Sequence, residues 1–112
     1  PIGEETVEFN DNCVSLFVAQ RGKCAICKLS LTLENMRCIR KIPKLCGGDD
    51  KYSNLMIVHK DMERLIKSQD SKEIKCILNK YKLDSNQKRK VNTIRKNAGL
   101  EVIDVKVLDK EL

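Results

Sequence analysis

Apolar residues recur at helical spacing in four stretches of this chain and crowd into two short runs, and their order outlines an α+β fold. From Asn10 or Asp11, either able to cap, the stretch 12–21 places Cys13, Val14, Phe17 and Val18 on one helical face, with Gly22 as its stop. Residues 36–42 read as a strand that Pro43 ends, residues 45–53 as a loop containing Gly47-Gly48-Asp49-Asp50, and residues 55–58 as a second strand. After His59, Met62, Leu65 and Ile66 fall at i, i+3 and i+4, which predicts a helix over 60–68. Two more helices follow: 72–81, with Ile74, Ile77, Leu78 and Tyr81 on one stripe, and 85–98, with Val91, Ile94 and Ala98 and then Gly99 as the stop. Ile103, Val105 and Val107 alternate with Asp104 and Lys106, which predicts a final half-buried strand or a frayed tail.

A length of 112 residues suits one modest core, so 1–112 reads as one domain, with its centre at 20–68, a helical extension at 72–99 and a tail at 100–112. With only two phenylalanines, two tyrosines and no tryptophan, that core must be built from Leu, Ile and Val. Charge changes the picture more than its formal net of +6 suggests. Residues 1–20 carry four acids and no base, whereas 21–67 carry eleven bases against five acids and 68–112 eleven against seven. Such a basic excess favours a polyanionic partner, nucleic acid ahead of an anionic membrane surface, with ordinary solvated lysine surface as the alternative. No apolar run approaches the ~20 residues that cross a bilayer. The six cysteines are expected to be reduced and the chain cytoplasmic, since no secretory signal is evident and Cys13 and Cys76 fall on apolar helix faces.

The run Cys24-Ala25-Ile26-Cys27 is a C-x-x-C turn, which supplies half of a structural zinc site because two thiolates on a tight turn can occupy adjacent corners of a tetrahedron. His59 is the candidate third ligand, and Cys38 or Cys46 could complete the set. Met62, three residues after His59, is unsuited because a thioether is soft and neutral. Zinc is the cofactor this half-set implies, and two reduced thiols in a turn are the other reading.

Four segments taken together carry a family likeness: Gln20-Arg21-Gly22-Lys23-Cys24-Ala25-Ile26-Cys27, Met36 to Lys44 with its Ile42-Pro43-Lys44, Gly47-Gly48-Asp49-Asp50-Lys51-Tyr52-Ser53-Asn54-Leu55, and His59-Lys60-Asp61 running on to Lys67. In this order they resemble the HNH endonuclease domain at the C-terminus of group II intron reverse transcriptase/maturases, and the similarity continues to about Leu100. The resemblance implies a ββα-metal finger with an N-terminal helix and additional C-terminal helices. It also implies DNA or RNA as partner, and a reverse transcriptase domain in a longer parent chain. In that family the first strand ends in two histidines, one a ligand of the divalent metal and one the general base, and a histidine on the following helix completes the metal site.

Carried over position by position, the resemblance puts Ile39 and Arg40 where the histidine pair stands, Glu63 where the helix histidine stands, and Lys67 at a later histidine position. Asn54, which orients the family's site, is retained, and His59 falls on the zinc half-site of some relatives. An arginine stays protonated and cannot act as base, and isoleucine has no ligand atom. The expectation is therefore a degenerate site, with catalytic magnesium or manganese not anticipated. Arg37, Arg40, Lys41, Lys44, Arg64 and Lys67 would then gather as a basic surface where the scissile phosphate once lay. Two rivals stand beside that reading. One is an active nuclease using Glu63, Asp61, Asp49 or Asp50 with a metal and His59 as base; the other is a protein-interaction module. The late cluster of Lys88, Arg89, Lys90, Arg95 and Lys96 reads as a solvated helical face.

Overall fold

A computed structural model describes residues 5–103. Its elements run α1 (Val7–Ala19), β1 (Met36–Arg40), β2 (Leu55–His59), α2 (Lys60–Lys67), α3 (Ser71–Tyr81) and α4 (Ser85–Asn97), with single 3₁₀ turns at Lys44–Cys46 and Tyr52–Asn54. The α+β expectation holds, and the middle of the chain has the strand, loop, strand, helix order that its pattern predicts. Of the expected final strand, residues 104–112 lie outside the described residues. Ile103 is in no strand; it is buried and exchanges two hydrogen bonds with the Asn92 side chain.

β1 and β2 pair antiparallel, with Cys38 opposite Ile57 and Arg40 opposite Leu55. Successive side chains of a strand point to opposite faces, so β2 divides its load. Leu55 and Ile57 pack with Phe9 and Leu16 of α1, while Met56 and Val58 join Met62 and Leu65 of α2, Ile77 and Leu78 of α3, and Val91 and Ile94 of α4. The second edge of β2 is also occupied. Gln20 bridges the Ile57 N–H and C=O with its side-chain amide, and Ala25 N–H donates to Ile57 C=O.

Helix α1 departs from expectation. It begins at Val7 because the Thr6 hydroxyl oxygen accepts from Phe9 N–H at 3.0 Å, so Asn10 and Asp11 lie inside the helix rather than capping it. The buried stripe is then Phe9, Cys13, Leu16 and Gln20, at i, i+4, i+7 and i+11, and it turns Val14 and Val18 outward at 68% and 71% exposure. Both stripes satisfy helical periodicity, and the partner surface of β2 selects one.

That rotation aims Cys13 at β1, where Cys38 lies on the α1 face, and the two form a disulfide. The expectation that every cysteine is reduced is corrected at this pair; Cys24, Cys27, Cys46 and Cys76 are free thiols. Closing a loop with a sequence separation of 25 removes conformations from the unfolded chain. Reduction should therefore lower stability by about 3 kcal/mol, read as a fall in the urea midpoint between oxidised and reduced samples. A midpoint shift worth under about 0.5 kcal/mol would contradict it.

Candidate nucleic-acid interface

The six basic residues singled out in the sequence divide between two surfaces, and strand alternation is the reason. Arg37 and Ile39 point from β1 toward α2, whereas Cys38 and Arg40 point toward α1. On the α2 side, Arg37, Lys60, Arg64 and Lys67 line a shallow open groove together with Glu63. Glu63 accepts an ion pair from Lys67 at 3.3 Å and a long one from Arg37 at 3.9 Å. Arg64 stands 3.9 Å from Asp61. Arg64 and Lys67 are exposed side chains on loose ion pairs, which cost little to exchange for another anion, whereas Arg37 is partly buried and its Nη1 also donates to the Glu34 and Met36 C=O groups at 3.1 and 2.8 Å.

Arg40 behaves differently. Its Nε donates to Asp50 Oδ1 at 2.8 Å, its Nη2 donates to both Glu5 oxygens at 3.0 and 3.1 Å, and its guanidinium carbon sits 4.5 Å above the Phe9 ring. Burial works against the guanidinium charge, and the Glu5 and Asp50 carboxylates outweigh it, so its pKa is raised. Asp50 also accepts from the Thr6 hydroxyl at 2.6 Å and lies 3.5 Å from Lys44 Nζ, and its backbone C=O accepts from Asn12. The Thr6 hydrogen bond first, and Arg40 with Lys44 after it, hold the Asp50 carboxyl below its ordinary range. Arg40 is thus the centre of an ion cluster clamped by Glu5, the N-cap Thr6 and Phe9 in the first turn of α1. A cleft of about 350 Å³ opens beside it, lined by Ile39, Arg40, Lys44, Glu63 and Lys67 among others. Lys67 and Glu63 border both surfaces; Lys41 is exposed on the loop after β1.

Asn54 has a structural task. Its Oδ1 accepts from Ile42 N–H, and its Nδ2 donates to Ile42 C=O and to Asp49 C=O, so one amide pins both ends of the loop that follows β1. That loop approaches itself so closely that a Cβ on Gly48 would stand 1.7 Å from the Ile42 carbonyl oxygen, which only glycine avoids.

The C-x-x-C turn forms as expected. Cys24 is buried and its sulfur accepts N–H bonds from Ile26, Cys27 and His59 at 3.3–3.4 Å. Burial, reinforced by the neighbouring Cys24, pushes the Cys27 thiol up to about 11. His59 lies against this turn through its backbone, but its ring nitrogen Nδ1 is engaged elsewhere, accepting from Asp61 N–H at 3.0 Å as the N-cap of α2. Cys38 is in the disulfide and Cys46 is an exposed thiol, so neither completes a set. Among the described residues no group of three or more His, Cys, Asp or Glu side chains is placed to hold a metal. Two thiols fit half of a zinc site; a third and fourth donor are not assembled beside them.

The acids of the rival nuclease reading are also dispersed. Asp61 accepts from the Tyr81 hydroxyl and from Lys80, Asp50 belongs to Arg40, and Glu63 to Lys67 and Arg37. Burial alone would raise the Asp61 pKa, but the Tyr81 hydroxyl, His59 and Lys80 bring it below the ordinary value, while burial together with the same Asp61 hydrogen bond raises that of Tyr81. Sequence reasoning missed Glu5 and Phe9 as partners of Arg40, and Thr6 as a partner of Asp50. The run of acids in residues 1–20 facing a basic middle was the signal that could have found them.

The titration of these groups has a sign. Burial lowers the His59 pKa from its ordinary 6.5, and a protonated Nδ1 could not accept from Asp61 N–H, so the folded chain favours neutral His59. Stability present above pH 6.5 is therefore lost as pH falls through the lower folded value, a step of about 1 kcal/mol for a lost N-cap. Asp50 and Asp61, both depressed from 3.8, add a second loss at more acid pH. Urea midpoints measured between pH 7 and 3 should fall in two steps, and His59→Asn, which keeps an acceptor at the cap, should erase the first alone. A flat profile from pH 7 to 5 in the unaltered chain would rule this out.

Comparison of the chain with protein-family models, with curated proteins and with solved structures finds no match. No helix among the described residues is long and apolar enough to cross a membrane.

Proposed function

We propose that this chain is a nucleic-acid-binding module on an HNH-type ββα scaffold whose hydrolytic site has been lost, working in the cytoplasm as part of a larger reverse transcriptase/maturase-like protein. The observation that carries it is the basic groove of Arg37, Lys60, Arg64 and Lys67, with Lys41 and Lys44 exposed on the loop after β1, and the family resemblance adds that Ile39 and Arg40 stand where a ligand and a base would. Guanidinium and ammonium groups on exposed, weakly paired side chains suit phosphate oxygens. Hydrolysis at an HNH-type site uses a held metal ion and a proton acceptor, and an aliphatic side chain and a permanent cation offer neither.

The test is fluorescence anisotropy of a labelled ~20-base-pair DNA duplex, and of its RNA counterpart, at ~50 mM salt. Binding of either supports the reading. Binding of neither favours a surface for protein, the second rival. Incubation of supercoiled plasmid with magnesium or manganese should leave it intact, and nicking abolished by His59→Ala would replace the proposal with a nuclease. The C-x-x-C turn is read as a reduced thiol pair, so elemental analysis of the purified chain should find well under one zinc per molecule; a content near one would assign the turn to a metal.

A further inference from the structure

The cluster around Arg40 is tied to a second feature, the Cys13–Cys38 disulfide. Both join the first half of α1 to β1 and its following loop. Glu5, Thr6, Phe9 and Asn12 contact Arg40 or Asp50, and Cys13 is bonded to Cys38, two residues before Arg40 on the same face of β1. The second half of α1 is anchored separately, by Leu16 in the core and Gln20 on the edge of β2. Apart from the disulfide and Phe9, the N-terminal half is held by polar contacts to one partly exposed cluster. Both bonded cysteines are partly buried against the Phe9, Leu16, Leu55 and Ile57 cluster, so a reductant reaches them as the N-terminal half of α1 loosens.

We propose that Cys13–Cys38 is a thiol–disulfide exchange site that latches the N-terminal half of α1 over Arg40, and that its reduction turns Arg40 toward phosphate. The co-reactant is a dithiol. Its thiolate attacks one sulfur of the pair, the Cys13–Cys38 bond breaks, and a mixed disulfide forms. The second thiol of the reductant then closes on the first. Two electrons and two protons pass to the cysteines, which leave as thiols, and the reductant leaves as its cyclic disulfide. Without the bond, Glu5 is held over Arg40 by exchangeable polar contacts, with Phe9 as the one remaining apolar anchor of that half of the helix, and a polyanion competes with Glu5 for the guanidinium. In a reducing compartment, disulfides that do form are characteristically transient and regulatory, which fits a latch and not a permanent staple. The consequence for binding rests on the proposed nucleic-acid function; the opening of α1 does not.

The experiment compares the intact chain with and without an excess of dithiothreitol. Thiol titration under denaturing conditions should count four thiols in the oxidised chain, for Cys24, Cys27, Cys46 and Cys76. Six before reduction would overturn the proposal at once. Hydrogen exchange read by mass spectrometry should accelerate on reduction at least tenfold more over residues 6–13 than in α3 and α4, where only the loss of global stability acts. Acceleration over 6–13 no greater than in α3 and α4 overturns the latch, since the bond would then hold the whole fold rather than a strap. Affinity for the DNA duplex should rise about tenfold, and the log–log salt slope should steepen by about 0.9 as one more phosphate contact forms. Cys13→Ser should bind like the reduced chain under both conditions. Equal affinity and slope in both redox states would overturn the switching of Arg40. If no duplex binds in either state, the nucleic-acid reading and the switching fall together, and the latch is decided by exchange.

Discussion

Raising salt from about 50 to about 200 mM should weaken duplex binding by the oxidised chain roughly five-hundredfold, the largest effect expected of this protein. Each phosphate neutralised by a cation releases condensed counterions, which contributes about −0.9 to the slope of log affinity against log salt. Six basic residues were expected at the cleft, but Arg40 is held by Glu5 and Asp50. Lys44 shares Asp50 with it and Lys60 joins the groove, so Arg37, Lys41, Lys60, Arg64 and Lys67 are counted, and five contacts give a slope of about −4.5. Lys67→Ala, on the residue shared by the groove and the cleft, should reduce the slope by about one unit for every sequence tested, because phosphate contacts position without reading bases. A slope shallower than about −2 would mean that the basic face is ordinary solvated surface.

The second large effect concerns folding. Arg95→Ala should cost about 4 kcal/mol of stability, measured as a shift of the urea midpoint at unchanged m-value. Arg95 is 3% exposed, and its Nη1 donates to the C=O groups of Leu65, Ile66 and Ser68 at 3.0, 3.3 and 2.6 Å, while Nε donates to Glu101 C=O at 2.8 Å. The last carbonyls of a helix have no partner within it, and here a cation from α4 supplies one for the end of α2. Truncation would leave several acceptors unmade at about 1–3 kcal/mol each, part of which water entering the gap would restore. Arg95→Lys should recover less than half, since an ammonium cannot reach the end of α2 and Glu101 together as a planar fork does. A loss below about 1 kcal/mol for the alanine variant would show that solvent already serves these carbonyls.

Arg95 also marks where reading a sequence fails. Lys88, Arg89, Lys90, Arg95 and Lys96 look alike as a solvated basic face, yet Lys88 and Arg95 are buried while the other three are exposed. Charge and helical spacing say which residues share a face; whether that face meets carbonyls or water depends on what packs opposite. The same holds for α1, where two apolar stripes were available and only contact with Leu55 and Ile57 chose between them.

The sequence alone determined the helices after β2 almost to their ends, because α3 and α4 are capped by Asp70 and Asp84 on their own first turns and carry unambiguous apolar stripes. It determined both strands within two residues, the C-x-x-C turn, and the basic character of the middle of the chain. These are local properties, fixed by residues a few positions apart. Tertiary structure decided the rest: the pairing of Cys13 with Cys38, the burial of Arg95, and the division of the basic residues by the two faces of β1. It also decided that Arg40 is clamped by an acid 35 positions away. Each depends on distant segments meeting at one register, and while charge along the chain hints that an acidic start meets a basic middle, neither it nor periodicity encodes which residues meet.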